Sequence, residues 1–247
     1  MKKNAMLKIA AVVLCAVLLT TCAISTTFAK YTTSGSGDIK FGRVAHFGFT
    51  VTAVANELFD TEYATGGKTY VQSSGSDLVL APGTKNDVVV GFTVAQDGKP
   101  EVAYAVTGSI DLDLNDWVVG TDSYFPVVIK IGGDAVDYNI DDDLADIEKA
   151  VEAAYLKAIF GDVSVTYDET NGSTYTSDTY APGSTAAIAE EVIIGWEWAF
   201  ETGDGDPAKA ANNIKDTALG NAGTKATIDL TCSIAIEQVG AGSSVNA

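Results

Sequence analysis

The strongest constraint on this chain is a period of two. Val192, Ile194, Trp196, Trp198 and Phe200 fall on alternate positions, with Glu191 and Glu197 on the other parity, and Ile228, Leu230, Cys232, Ile234 and Ile236 repeat the pattern. Such alternation turns one face of a strand into a core and the other toward solvent, which no helix does. Shorter rows are Phe47, Phe49, Val51 and Ala53, set against His46, Gly48, Thr50 and Thr52; then Val102, Tyr104 and Val106; Val127, Ile129 and Ile131; and Val163, Val165 and Tyr167. Val88 to Val94 is nearly continuous in apolar residues. Turn-forming clusters separate these blocks, among them Ala81-Pro82-Gly83-Thr84, Gly98-Lys99-Pro100, Asn171-Gly172 and Ala181-Pro182-Gly183-Ser184. Many short strands between turn signals predict a mainly all-β fold, a β-sandwich of jelly-roll type, as one domain over residues 43–239. The two Ala-Pro-Gly segments read as recurring turn chemistry, not as a duplication.

Two segments carry a helical period instead. Leu144, Ile147, Val151, Ala154, Tyr155 and Ile159 recur every three or four positions after Asp141-Asp142-Asp143, and Gly161 stops the run. The acids suit the positive start of a helix, Lys157 its negative end. This long helix is expected to lie across an edge or one end of the sandwich. A shorter helix is expected from Pro207, at a first helical position, to about Leu219, with Gly220 beyond.

The first thirty residues follow a different logic. Lys2, Lys3 and Lys8 precede an apolar run from Ile9 to Ala23, and Thr27 and Ala29 are small residues at the positions a signal peptidase reads. Residues 1–29 are therefore expected to be a secretory signal peptide, cut between Ala29 and Lys30. A retained anchor would need a longer apolar run, and Leu19-Thr20-Thr21-Cys22 departs from a lipoprotein box at the Thr before Cys22. Cys15 and Cys22 would leave with the leader, so Cys232 remains without an internal disulfide partner; within its apolar row it is expected to be a small buried hydrophobe. Residues 30–42 are rich in Ser, Gly and Thr and have no apolar period that would pack them into the domain. Residues 240–247 form a polar tail.

Charge closes further routes. The chain has 33 acidic against 15 basic residues, a formal charge of -18, and removal of the three leader lysines takes this to -21. With Arg43 as its single arginine it has no basic face to hold phosphates, so nucleic acid is not an expected partner. One histidine, His46, excludes zinc sites built from two or more His, and is expected to be a solvent-facing strand residue. Glu190, Glu191 and Glu197 near two Trp residues could be a glycosidase pair, yet Glu197 lies on the face opposite Trp196 and Trp198, which are more readily core. No GxSxG elbow is present. Asp141 and Asp143, with Asp204 and Asp206, are oxygen donors suited to a structural Ca2+, but they lack EF-hand spacing and stand where acids cap helices. No other cofactor is expected, and no enzyme activity.

With these features in view, the chain resembles the TasA and camelysin family of secreted Gram-positive proteins. The junction Thr26-Thr27-Phe28-Ala29-Lys30-Tyr31, followed by Ser-Gly repeats and Gly42-Arg43-Val44-Ala45, is similar to leaders cut by that family's dedicated signal peptidase. Leu80-Ala81-Pro82-Gly83-Thr84 before Val88 to Val94, Trp196-Glu197-Trp198-Ala199-Phe200 with Asp216-Thr217-Ala218-Leu219-Gly220, and the closing strand ending in Glu237-Gln238-Val239 complete the likeness. The resemblance implies a jelly-roll subunit, export, and assembly into extracellular biofilm-matrix fibres in which the freed N-terminal segment of one subunit adds as a strand to the next. Residues 30–42 are then the donor, with Tyr31, Ile39 and Phe41 as contact residues; the partner is another copy of the chain, with a minor anchoring or tip protein besides, and no membrane after cleavage. The metalloprotease activity associated with camelysin is not carried over, because the usual zinc ligands are missing. A monomeric adhesin or glycan-binding module, and a secreted hydrolase, are the competing expectations.

Overall fold

The computed structural model describes residues 44–55, 57–186, 191–201, 203, 205–222 and 225–240. The expected leader with its cleavage residues Thr27, Ala29 and Lys30, the candidate donor with Tyr31, Ile39 and Phe41, the residues Glu190 and Asp204, and all but the first residue of the tail lie outside these. In chain order the elements are β1 (Phe49–Ala55), β2 (Glu62–Thr65), β3 (Lys68–Gln72), β4 (Lys85–Gln96), β5 (Tyr104–Asn115), β6 (Val118–Val119), β7 (Asp122–Ser123), β8 (Val127–Ile131), β9 (Asp134–Ala135), α1 (Leu144–Phe160), β10 (Thr166–Asp168), β11 (Gly172–Thr176), β12 (Glu191–Trp198), α2 (Asp206–Gly220) and β13 (Thr227–Gln238).

Nine of these strands build two antiparallel sheets, one ordered β1-β4-β12-β8-β9 and the other β10-β11-β5-β13. Their inner faces enclose one apolar cluster. Val90 and Phe92 from β4, Val192, Ile194, Trp196 and Trp198 from β12, and Val127, Ile129 and Ile131 from β8 face Ile110, Leu112 and Leu114 from β5. Among the described residues the fold is thus a mainly β sandwich with two helices. The period-two rows work as alternation requires: Trp196 and Trp198 are buried, while Glu197 points outward and pairs with Lys130 of the adjacent β8 at 2.8 Å. Trp196 also donates its indole N–H to the Leu58 carbonyl at 2.8 Å, which ties the chain before β2 onto the core.

The structure corrects several expectations. The first strand begins at Phe49, so His46 precedes it; its backbone N–H and carbonyl bond to Glu101, and its ring nitrogen meets the Asp97 carbonyl. β5 continues well beyond Val106, because Gly108, Ile110, Leu112 and Leu114 keep one face apolar while Ser109, Asp111 and Asp113 occupy the other. Phe200 lies past the end of β12 and is 72% exposed. Cys232 is half-buried rather than buried.

α1 has the predicted length and ends at Gly161, whose N–H still bonds to the Lys157 carbonyl and whose φ of 84° turns the following chain off the helical path. The acids before it are not caps of the expected kind. Asp143 makes no side-chain cap bond, Asp142 accepts from the Asn139 backbone N–H at 2.7 Å, and Asp141 pairs with Lys215 of α2 at 2.6 Å. The helix presses onto β5 so closely that the Phe160 ring fills the space where a side chain at position 108 would stand, which requires Gly108. α2 seals one end: Asp216 accepts a bond from the Tyr124 hydroxyl at 2.8 Å and lies beside the buried Trp198 indole N–H. Burial raises the Asp216 carboxyl above the usual range, against the lowering effect of the Tyr124 hydrogen bond and the nearby Trp198 N–H.

Candidate functional site

The two long sides of a sandwich must each dispose of strand-edge N–H and C=O groups, and here the two sides do so differently. On one side, the N–H groups of even-numbered β5 residues point away from β13. Tyr104 gives its N–H to Tyr180 O at 3.1 Å and Val106 to Ser177 Oγ at 2.9 Å. β11 then pairs along Thr107 to Ile110. Where β11 stops, α1 takes over: Glu152 Oε1 accepts from Leu112 N–H and Glu148 Oε1 from Leu114 N–H, both at 2.8 Å. Glu152 Oε2 also accepts from Ser173 Oγ at 2.8 Å, so one buried carboxylate joins α1, β5 and β11. The helix therefore shuts this edge chemically as well as sterically, as the sequence led us to expect of a covering helix. Burial raises both carboxyls against the lowering effect of their hydrogen-bond donors, with Asp113 and Asp111 adding to the rise at Glu148 and Asp111 and Glu148 adding to it at Glu152.

Among the described residues the opposite side is open. β13 pairs with β5 along its full twelve residues; among the described residues no strand pairs with its other edge, and β1, which approaches it from the other sheet, pairs with β4 alone. Strand geometry identifies the unpaired groups. Since even-numbered N–H groups of β5 face α1 and β11, its odd residues exchange bonds with the odd residues of β13, and Val239 N–H to Ala103 O at 2.9 Å continues that parity. Ile228, Leu230, Cys232, Ile234, Ile236 and Gln238 consequently direct their backbone N–H and C=O outward along the edge.

The side chains beneath this edge are incompletely covered. The inward row of β13 is half-buried from Ile228 to Ile236, unlike the buried rows of β5, β8 and β12. Val51, on the same face of its sheet as its partner Val94 and the buried Phe92, is still 37% exposed. An apolar cavity lies under the start of β13, lined by Ile228, Leu230, Ile110, Leu112, Ile129 and Trp196 among others. Cys232 stands midway along the row against the Tyr155 hydroxyl, and burial raises its thiol.

The outer face of the same sheet carries a charge feature that no spacing in the sequence reveals. Asp113 and Asp229 are direct cross-strand partners, and Asp111 stands one step along, opposite Thr231. Like charges in this relation destabilise a sheet. Among the described residues the ion pairs are Lys130–Glu197, Lys209–Glu201 and Lys215–Asp141, none of which reaches this cluster. The Asp111 carboxyl is raised by desolvation and by Asp113.

The remaining candidates are dispersed. Asp141 is engaged by Lys215, Asp143 stands at the start of α1 and Asp206 in the first turn of α2; among the described residues no group of three or more His, Cys, Asp or Glu converges on a metal position. Glu197 is held below the usual carboxylate range by its hydrogen bond to Lys130, on the outer face, away from any cleft with the buried Trp pair. Among the described residues no helix is long and apolar enough to cross a membrane. A scan against protein-family models gives no match, and neither does a comparison with curated proteins.

Proposed function

We propose that this chain is a secreted, non-enzymatic structural subunit that polymerises into extracellular matrix fibres by accepting, along β13, a strand donated from residues 30–42 of a neighbouring copy. The observation that carries this reading is the open side of the sandwich: a twelve-residue edge strand over a half-covered apolar row. Soluble proteins protect long edges with lysines, prolines, bulges or covering elements. β13 contains no Lys and no Pro, and its register with β5 runs without a shift. The same protein covers the far side of β5, beyond the end of β11, with α1, so the contrast lies within one molecule.

An added strand would satisfy the outward N–H and C=O groups and bury the apolar row in one step. Donation from one copy to the next is a heterologous contact that does not close, and so gives a filament. Export fits the leader read from residues 1–29, whose removal makes the donor segment the new N-terminus. Trp196 and Trp198 are 2% and 5% exposed, so this pair supplies no aromatic platform of the kind a glycan-binding module uses. Mature protein beginning at Lys30 should form filaments in negative-stain images, whereas protein lacking residues 30–42 should stay monomeric in sedimentation. Filaments of undiminished length from the shortened chain would sink the mechanism.

A further inference from the structure

Resting on the reading of strand donation, we infer that the donor binds β13 in one antiparallel register, fixed by a charge contact between Lys40 of the incoming copy and the Asp113–Asp229 pair of the acceptor. Bulk and charge coincide on both partners. On the acceptor, the apolar cavity lies under Ile228 and Leu230, and the like-charge pair stands on the outer face at Asp229, between them. In residues 30–42 the one branched aliphatic residue, Ile39, and an aromatic, Phe41, stand on either side of Lys40. Alternation sends Ile39 and Phe41 to one face of a strand and Lys40 to the other.

Setting Lys40 opposite Asp229 with the strands antiparallel places Phe41 against Ile228 and Ile39 against Leu230, over the cavity. The rest of the donor then runs along the whole edge, with Gly37 at Cys232, Gly35 at Ile234 and Tyr31 at Gln238. A parallel strand with the same Lys40 contact would run off the start of β13 and leave most of the edge bare. The outward parity makes Lys40 and Asp229 a pair without direct backbone bonds between them, the geometry in which cross-strand side chains approach closest. A slip of two residues in one direction sets Asp38 against Asp229, beside Asp113, and brings three carboxylates together. Register is therefore selected by attraction in one position and repulsion in the next.

This contact also has to come from another molecule. Phe49 stacks 4.7 Å from Tyr104, the partner of Gln238, and His46 is bonded to Glu101 beyond that end of β13. Along an extended strand Ile228 is about 33 Å from Gln238. The chain from Phe41 to His46 spans at most about 18 Å, so a molecule's own Phe41 does not reach its own Ile228.

Charge exchange tests the register. In mature protein, Lys40→Glu and Asp229→Lys should each raise the critical concentration for filaments roughly tenfold at low salt, and the double variant should return it to within about twofold of the parent. Thermal melts of the monomers separate a folding defect from an assembly defect. Trapping tests the placement. In a Cys232→Ser background, a Lys40→Cys copy mixed with an Asp229→Cys copy and oxidised should give a disulfide-linked dimer of the two. A Lys40→Cys copy that links to Glu237→Cys and not to Asp229→Cys overturns the register, as do single charge variants that assemble like the parent. If those results come while the chain without residues 30–42 still fails to assemble, only the register is wrong; filaments from the shortened chain would remove strand donation itself.

Discussion

Replacing Glu152 with alanine lowers the stability of the monomer by about 2–4 kcal/mol, because two buried donors lose their acceptor and the helix leaves a hole behind it. Leu112 N–H and Ser173 Oγ both rely on this carboxylate, and Glu152 is 1% exposed, so water does not replace it. Glu152→Gln is the informative companion. The amide oxygen still accepts from Leu112, and its NH2 can donate to Ser173 Oγ. The pH response separates the two roles. Burial raises the folded-state pKa of Glu152 above its ordinary value of 4.5, so the folded chain binds a proton there more tightly than the unfolded one. The stability from this group is fully present below pH 4.5 and is lost as pH rises through the raised value. Urea unfolding at pH 5 and pH 8 should therefore show a smaller loss between the two for Glu152→Gln than for the parent. An identical pH dependence in both would mean that the carboxylate titrates as it does in the unfolded chain.

The second large effect falls on assembly and spares the fold. Val51 faces inward but keeps 37% of its surface exposed, and among the described residues no strand covers it on the open side. A Val51→Lys side chain can extend into solvent in the monomer, so the melting temperature should change by only a few degrees. In a filament the same ammonium would lie beneath a donated strand without a partner, and burying an unpaired charge costs several kcal/mol. The critical concentration should then rise more than about a hundredfold. Val51→Thr, which keeps the side-chain shape and exchanges one methyl for a hydroxyl, should assemble at intermediate concentration. A Val51→Lys protein that polymerises normally would show that the side of the sandwich next to β1 stays open in the filament.

Much of this architecture was legible in the sequence where pattern and burial agree. The β12 row from Val192 to Trp198 and the α1 face through Ile147, Val151, Tyr155 and Ile159 lie where their periods put them. The pattern also overreached, since Phe200 continues the parity of β12 in sequence but comes after Trp198, the last residue of the strand. The β2–β3 hairpin escaped because its strands are short and largely exposed, and its turn rests on Gly66 and Gly67 at φ 61° and 76°. Glu152 did leave a trace: it stands between Val151 and Tyr155 on the buried side of a helix, where a carboxylate needs donors to be tolerated.

The candidate site was the least legible part. The row from Ile228 to Ile236 predicts a strand, but a sequence does not say which of that strand's two edges will lack a neighbour. Nor does it say that Asp113 and Asp229 will stand opposite one another, since that follows from the β5–β13 register. Once those two facts are known, the short Ile39-Lys40-Phe41 stretch acquires a counterpart.

Amide exchange along β13, read residue by residue in monomer and filament, addresses the central claim most directly. In the monomer the N–H groups of Asp229, Thr231, Ser233, Ala235 and Glu237 should exchange slowly because β5 holds them, while those of Ile228, Leu230, Cys232, Ile234 and Ile236 exchange fast. In the filament both sets should be slow, giving continuous protection from Ile228 to Glu237. Even-numbered amides that exchange as fast in the filament as in the monomer would contradict the assignment of β13 as the acceptor edge.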